Sequence, residues 1–146
     1  MEIKYTSQIN NTIYQDALRI RREVFVKEQG VSESIEIDDK EDKCLHFVLY
    51  NDEHKAVATA RLFPANEQQV VLQRMSVLKT VRKQQYGQIL LTKILDVASK
   101  EHYQEVILHA QLTARKFYQK LDFIAFGGIF EEAGIKHISM KKSLTL

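Results

Sequence analysis

The side chains best suited to chemistry lie between Val70 and Leu95, in V-V-L-Q-R-M-S-V-L-K-T-V-R-K-Q-Q-Y-G-Q-I-L-L-T-K-I-L. The segment reads as a β-strand, a short turn carrying Arg82 and Lys83, and an amphipathic helix. The first turn of a helix has backbone N–H groups without intrahelical acceptors and the positive end of the helix dipole, so it attracts anions. With two cations in that turn, a phosphate-bearing ligand is the expected occupant. Metal chemistry has no comparable support. His46, His54, His102, His109 and His137 show no close ligand spacing, and Cys44 has no partner in a C-x-x-C pattern. No neighbouring residue marks Cys44 as an activated nucleophile.

These residues must be positioned by a modest scaffold. A chain of 146 residues suits one domain, 1–146, around a single core. The net charge of +2 is too balanced to argue for nucleic acid. No apolar run approaches the roughly 20 residues that span a bilayer, and the N-terminal M-E-I-K-Y-T-S-Q-I-N-N lacks the apolar core of a signal peptide. Cys44, as the one cysteine, forms no internal disulfide, so a reduced cytoplasmic setting is expected.

Residues 2–6 suggest a strand. Ile13, Ala17, Ile20 and Val24 recur at helical spacing, predicting a helix from about Thr12 toward Gln29 that stops at Gly30. The acidic run from Glu33 to Asp42 reads as a solvated loop. Leu45 to Tyr50 and Ala56 to Phe63 read as a hairpin, and Val70 to Leu78 as a third strand of that group. Ile89, Leu90, Leu91, Ile94, Leu95 and Ala98 give the central helix its apolar face. Val106 to Ala110 is a compact strand, and Thr113 is placed to cap a following helix. Strands near Phe123 to Phe126 and His137 to Met140 close the chain. The fold class is therefore α/β (α+β): a mixed, mostly antiparallel sheet of six to seven strands with helices on both faces.

At this point the chain resembles the GNAT superfamily of N-acetyltransferases. The family turn R/Q-x-x-G-x-G/A matches Arg82, Lys83, Gln84, Gln85, Tyr86 and Gly87, with Gln85 standing where the first glycine is usual. Ala114 to Phe123, A-R-K-F-Y-Q-K-L-D-F, resembles the family motif A-x-x-F-Y-x-K-x-G-F, with Asp122 replacing a glycine. R-R-E-V-F-V-K-E-Q-G-V at Arg21 to Val31 and A-G-I-K-H-I-S-M at Ala133 to Met140 resemble the branch typified by the bacterial ElaA and YjcF proteins.

The resemblance implies acetyl-CoA as co-substrate and an amine acceptor. Arg82, Lys83, Gln84, Gln85, Tyr86, Gly87 and Gln88 would hold the diphosphate, and Met75, Ser76 and Val77 the pantetheine arm. Tyr118 would protonate the departing thiolate, and no metal would be needed. Glycine permits positive φ; an L-residue at Gln85 is expected to keep negative φ and still point its amide inward. Glu23, Glu28, Glu36, His46 and His109 are the weighed proton acceptors, with Glu23 and Glu28 expected in solvent or paired with Arg19 or Arg22. Acids between Glu23 and Glu36 could attract a cationic acceptor. The two replaced glycines motivate a rival, a catalytically idle acyl-CoA-binding module. Pairing of the C-terminal strands between subunits, giving a homodimer, is a further expectation.

Overall fold

A computed structural model describes residues 1–144. Seven strands form one sheet in the order β1-β2-β3-β4-β5-β7-β6. They are β1 (Glu2–Thr6), β2 (Leu45–Tyr50), β3 (Ala56–Pro64), β4 (Gln69–Val77), β5 (Glu105–Gln111), β6 (Ile124–Glu132) and β7 (Ile135–Ser143). Neighbours are antiparallel except β4 and β5, which are parallel. A parallel pair needs a crossover of a dozen or more residues. Helix α3 (Tyr86–Lys100) supplies it. The expected order of elements and the two-faced covering of the sheet are both present.

Periodicity explains the layers. Leu90, Leu91, Ile94, Val97 and Ala98 of α3 pack on one face against Phe47, Leu49, Leu62, Leu72, Leu108 and Met140. On the other face, Ala17 and Ile20 of α1 (Thr12–Arg21), with Val24, pack on Val48 and Ala56. Side-chain Asn11 accepts the Tyr14 amide at 3.0 Å and starts α1. Beyond Arg21 the chain continues as a π-helix, Arg22–Glu28, until Gly30 at φ +75 turns it away. Such wide turns are rare and concentrate at functional sites.

The acidic run is solvated only in part. It folds as α2 (Glu33–Glu36) and a 3-10 turn (Glu41–Lys43), with Glu36 and Glu41 buried. Beneath it lie Arg21 and Arg61, each 1% exposed. Arg21 donates to Glu36 and Glu41 at 2.7 Å, and Arg61 to Glu41 at 2.6 Å and Asp38 at 2.9 Å. A buried guanidinium without a carboxylate is strongly unfavourable, so these acids are drawn inward. Thr113 also departs from expectation. It sits in a 3-10 turn, and the cap position of α4 (Arg115–Lys120) is Ala114, with no side-chain cap.

Two backbone features prepare a site. First, β4 and β5 pair only from Gln69 with Glu105 to Leu72 with Leu108, and then part. β4 runs on to Val77 with only β3 beside it, so its other edge is left without a strand partner. Second, Thr59 pairs with Ser76 and Arg61 with Gln73, leaving Arg74 and Met75 opposite Ala60 as a bulge. Arg74 takes φ +61 there, a conformation costing an L-residue about 1–2 kcal/mol. Its side chain is fastened by the carbonyls of Glu36 and Ile35, at 3.1 and 3.2 Å, and by Asp38 at 3.3 Å.

Candidate active site

The gap between β4 and β5 opens into a cleft of about 1040 Å³. Met75, Ser76 and Val77 of β4 line it, as do Arg82, Lys83, Gln85, Tyr86, Gly87 and Gln88 of the turn, and Tyr118 of α4. Gln84 is outside the lining. Residues separated by some 40 positions in sequence thus meet because the crossover helix returns α4 to the mouth of the gap.

The turn is built to present amides. Ile89 makes the first intrahelical bond of α3, to the Gln85 carbonyl at 3.0 Å, and no side chain caps the helix. The N–H groups of Tyr86, Gly87 and Gln88 have no acceptor among the described residues. Gln85 holds φ +65, not the negative φ expected of it. A left-handed residue followed by right-handed helix is a backbone arrangement that can gather successive N–H groups around an anion. Asp122, at the second replaced glycine, likewise holds φ +69. Both positions keep the glycine-type backbone without the glycine.

This has a measurable consequence. Gln85→Gly removes a left-handed strain of about 1–2 kcal/mol and adds about 0.5–1 kcal/mol of unfolded-chain entropy. The net expectation is a melting temperature higher by about 2–4 °C in a scanning melt. A lower melting temperature would show that the Gln85 side chain contributes more than its backbone costs.

Gly87 serves another purpose. A Cβ there would lie 3.3 Å from the Phe117 ring and 3.6 Å from Val77, so glycine lets α3 sit close to α4 and β4. Arg82 is not an open cation. Its Nη1 and Nη2 each donate to Glu28 at 2.7 Å, and its Nε to the Val77 carbonyl at 3.0 Å. Hydrogen bonding from Arg82 lowers the Glu28 carboxyl below its ordinary range and raises Arg82 in turn. Lys83, at φ +70, has no ion pair among the described residues.

Tyr118 is 7% exposed, held edge-on by Phe117 at 5.0 Å and Phe123 at 5.7 Å between ring centroids. Its hydroxyl makes no hydrogen bond among the described residues, yet no buried side-chain polar atom is left sealed without a partner. The hydroxyl therefore reaches the cleft. Burial raises its pKa, which keeps the phenol protonated.

The weighed proton acceptors separate clearly. His46 is buried away from the cleft, its Nε2 2.7 Å from the Glu41 carbonyl, and burial lowers its pKa. Glu23 pairs with Lys27, and Glu28 with Arg82, rather than with Arg19 or Arg22. Arg19 and Arg22 pair with Asp16 and Glu33. Glu36 does line the cleft, and burial raises its pKa, but Arg21 and Arg74 engage it. All the acids from Glu23 to Glu36 are thus paired. His109 lines the cleft from β5, with Nδ1 3.0 Å from Glu132. The Cys44 thiol lies outside this cleft and is pushed up to about 11 by burial, unsuited to nucleophilic attack. Among the described residues no group of His, Cys, Asp or Glu is placed to hold a metal.

Sequence reasoning missed the bulge at Arg74 and the pairing of Gln29 with Gln111. These amides exchange hydrogen bonds at 3.3 and 2.9 Å and tie the end of the π-helix to β5 across the cleft. No local pattern signals either feature.

Comparison with known proteins agrees with this geometry. Residues 7–144 match the family described as an acetyltransferase (GNAT) domain. The chain is 35% identical over 134 residues to the uncharacterised N-acetyltransferase YjcF of Bacillus subtilis, covering 91% of this chain and 94% of that protein. The crystal structure of Escherichia coli ElaA matches with a TM-score of 0.86 at 27% identity, over 97% of this chain and 99% of that one. The fold alone is shared with an aminoglycoside 6'-N-acetyltransferase crystallised with coenzyme A, with a TM-score of 0.74, 14% identity, and coverage of 100% and 98% of the two chains. A family match spanning nearly the whole chain, on a sheet that opens beside an uncapped helix, leads to one conclusion: this protein belongs to the GNAT acetyltransferase family.

Proposed function

We propose that the protein transfers an acetyl group from acetyl-CoA to a primary amine of a small molecule or peptide, directly within a ternary complex. The observation that carries this reading is the opening of β4 from β5 beside the uncapped N-terminus of α3, with the Tyr118 hydroxyl in the same cleft. An amide-bearing pantetheine arm can add to the free edge of β4 at Met75 to Val77 as a strand would. The diphosphate then falls on the amides of Tyr86, Gly87 and Gln88, with Lys83 and Arg82 supplying charge. The bulge at Arg74 and Met75 interrupts the ladder beside the cleft, and a main-chain N–H freed there would receive the thioester oxygen during attack. As the C–S bond breaks, Tyr118 gives its proton to the sulfur.

The idle-module reading drew on the replaced glycines. Their φ values of +65 and +69 show that both turns keep the shape glycine would allow, which suits acyl-CoA binding under either reading and removes the reason for preferring the module. A thiol-release assay with acetyl-CoA over polyamines, amino acids, aminoglycosides and peptides tests the choice. Turnover with any amine supports the transferase. Binding of acetyl-CoA without thiol release across the panel supports the module. A cytoplasmic location and a homodimer through the C-terminal strands also belong to this reading.

A further inference from the structure

We infer that His109 is the base that receives the acceptor's proton, with Glu132 as its positioning residue; this rests on the transferase reading above. His109 is the first residue of β5 beyond Leu108, the last position paired with β4, so it stands at the point where the strands part. Its Cα partner on β7 is Ser139, and the strand alternation puts its side chain on the face that carries Gln111. Gln111 in turn reaches Gln29 of the opposite wall, so this face looks into the cleft.

The ring's chemistry is set by its partners. Glu132 lies 3.0 Å from Nδ1 of His109, and a carboxylate only accepts hydrogen bonds, so Nδ1 carries the proton. A neutral His109 ring then has its lone pair on Nε2, which has no partner among the described residues. The same arrangement of carboxylate, imidazole and free nitrogen orients bases in hydrolytic triads. Phe130 meets the His109 ring edge-on at 5.1 Å and stacks on His137 at 5.9 Å, which fixes both rings. His137 donates from Nδ1 to the Ile135 carbonyl at 2.7 Å and stands 3.8 Å from the second Glu132 oxygen. At 44% exposure, the His109 side chain remains open to an entering amine and to solvent.

The rival bases in the cleft are occupied. Glu36 and Asp38 face Arg74, with Arg21 on the first and Arg61 on the second. In the proposed step an ammonium acceptor gives one proton to Nε2 of His109. The freed amine attacks the thioester carbon, forming C–N while C–S breaks. Tyr118 supplies the proton for the sulfur, and the second nitrogen proton returns to Tyr118. His109 then releases its proton to solvent, and the atoms balance as amine plus thioester giving amide plus thiol.

The test pairs kinetics with imidazole nitrogen NMR on the whole protein. His109→Gln should lower kcat for the best amine by about 100-fold while KM for acetyl-CoA changes less than about twofold. Glu132→Ala should lower kcat by about tenfold and convert the neutral His109 ring from the Nδ1–H to the Nε2–H tautomer. In the unaltered protein, 15N-histidine spectra should show His109 as Nδ1–H. Full activity in His109→Gln, or an Nε2–H ring in the unaltered protein, overturns the inference alone. No turnover with any amine in the unaltered protein overturns the transferase reading and this inference with it.

Discussion

Tyr118→Phe should lower the rate of thiol release by about 100-fold, the usual scale for losing a general acid. The substitution removes one oxygen and leaves the ring packed between Phe117 and Phe123. The hydroxyl has no hydrogen bond among the described residues, so its loss strands no partner. Binding of acetyl-CoA should therefore persist, with KM within about twofold. Burial raises the Tyr118 pKa, so the phenol keeps its proton throughout the neutral range and enters the reaction as a donor. Steady-state kinetics with the best amine of a panel decides the matter. An unaltered kcat would remove Tyr118 from the mechanism and leave the thiolate to take its proton from water.

The turn carries the other large effect. Arg82→Glu combined with Lys83→Glu should weaken coenzyme A by about 100-fold and pantetheine by less than about threefold. The difference arises because only the first ligand brings phosphates to the corner. Arg82 adds a refinement, since Glu28 already holds both of its terminal nitrogens at 2.7 Å. A diphosphate must displace that carboxylate, so part of the guanidinium's attraction is spent in exchange. Glu28→Gln should thus tighten coenzyme A by about threefold to tenfold, most visibly at low salt. Titration calorimetry measures all of these affinities. Equal losses for coenzyme A and pantetheine would place the diphosphate elsewhere.

How far the sequence revealed this site depends on the range of the interactions involved. The strand, turn and α3 were legible because hydrophobic period and helix-start chemistry act over a few residues. Likewise, the compact apolar stretches around Val106 and Leu45 announced their strands. The acidic run misled for the opposite reason. Glu36 and Glu41 are buried by Arg21 and Arg61, which lie on α1 and β3, and local composition records no such partner. Gln85 misled in a subtler way. Its side chain argued for negative φ, yet the residue holds φ +65 where the turn enters α3, a conformation that local sequence does not announce. His109 could be noticed as a histidine on a strand. Its role depends on Glu132, brought beside it across two strand pairings and a bulge between Phe126 and Phe130.

The account rests on the corner of amides at Tyr86, Gly87 and Gln88 receiving paired phosphates. Thermal melting with coenzyme A tests it most directly, because a ligand that binds only the native state stabilises it by about 2.7 kcal/mol at 100 times its Kd. For a chain of 146 residues that is a rise of roughly 5–10 °C, with acetyl-CoA acting similarly and pantetheine much less. No shift with either thioester or free coenzyme up to about 1 mM, a level corresponding to only about −4.1 kcal/mol of binding, would contradict the assignment of that corner.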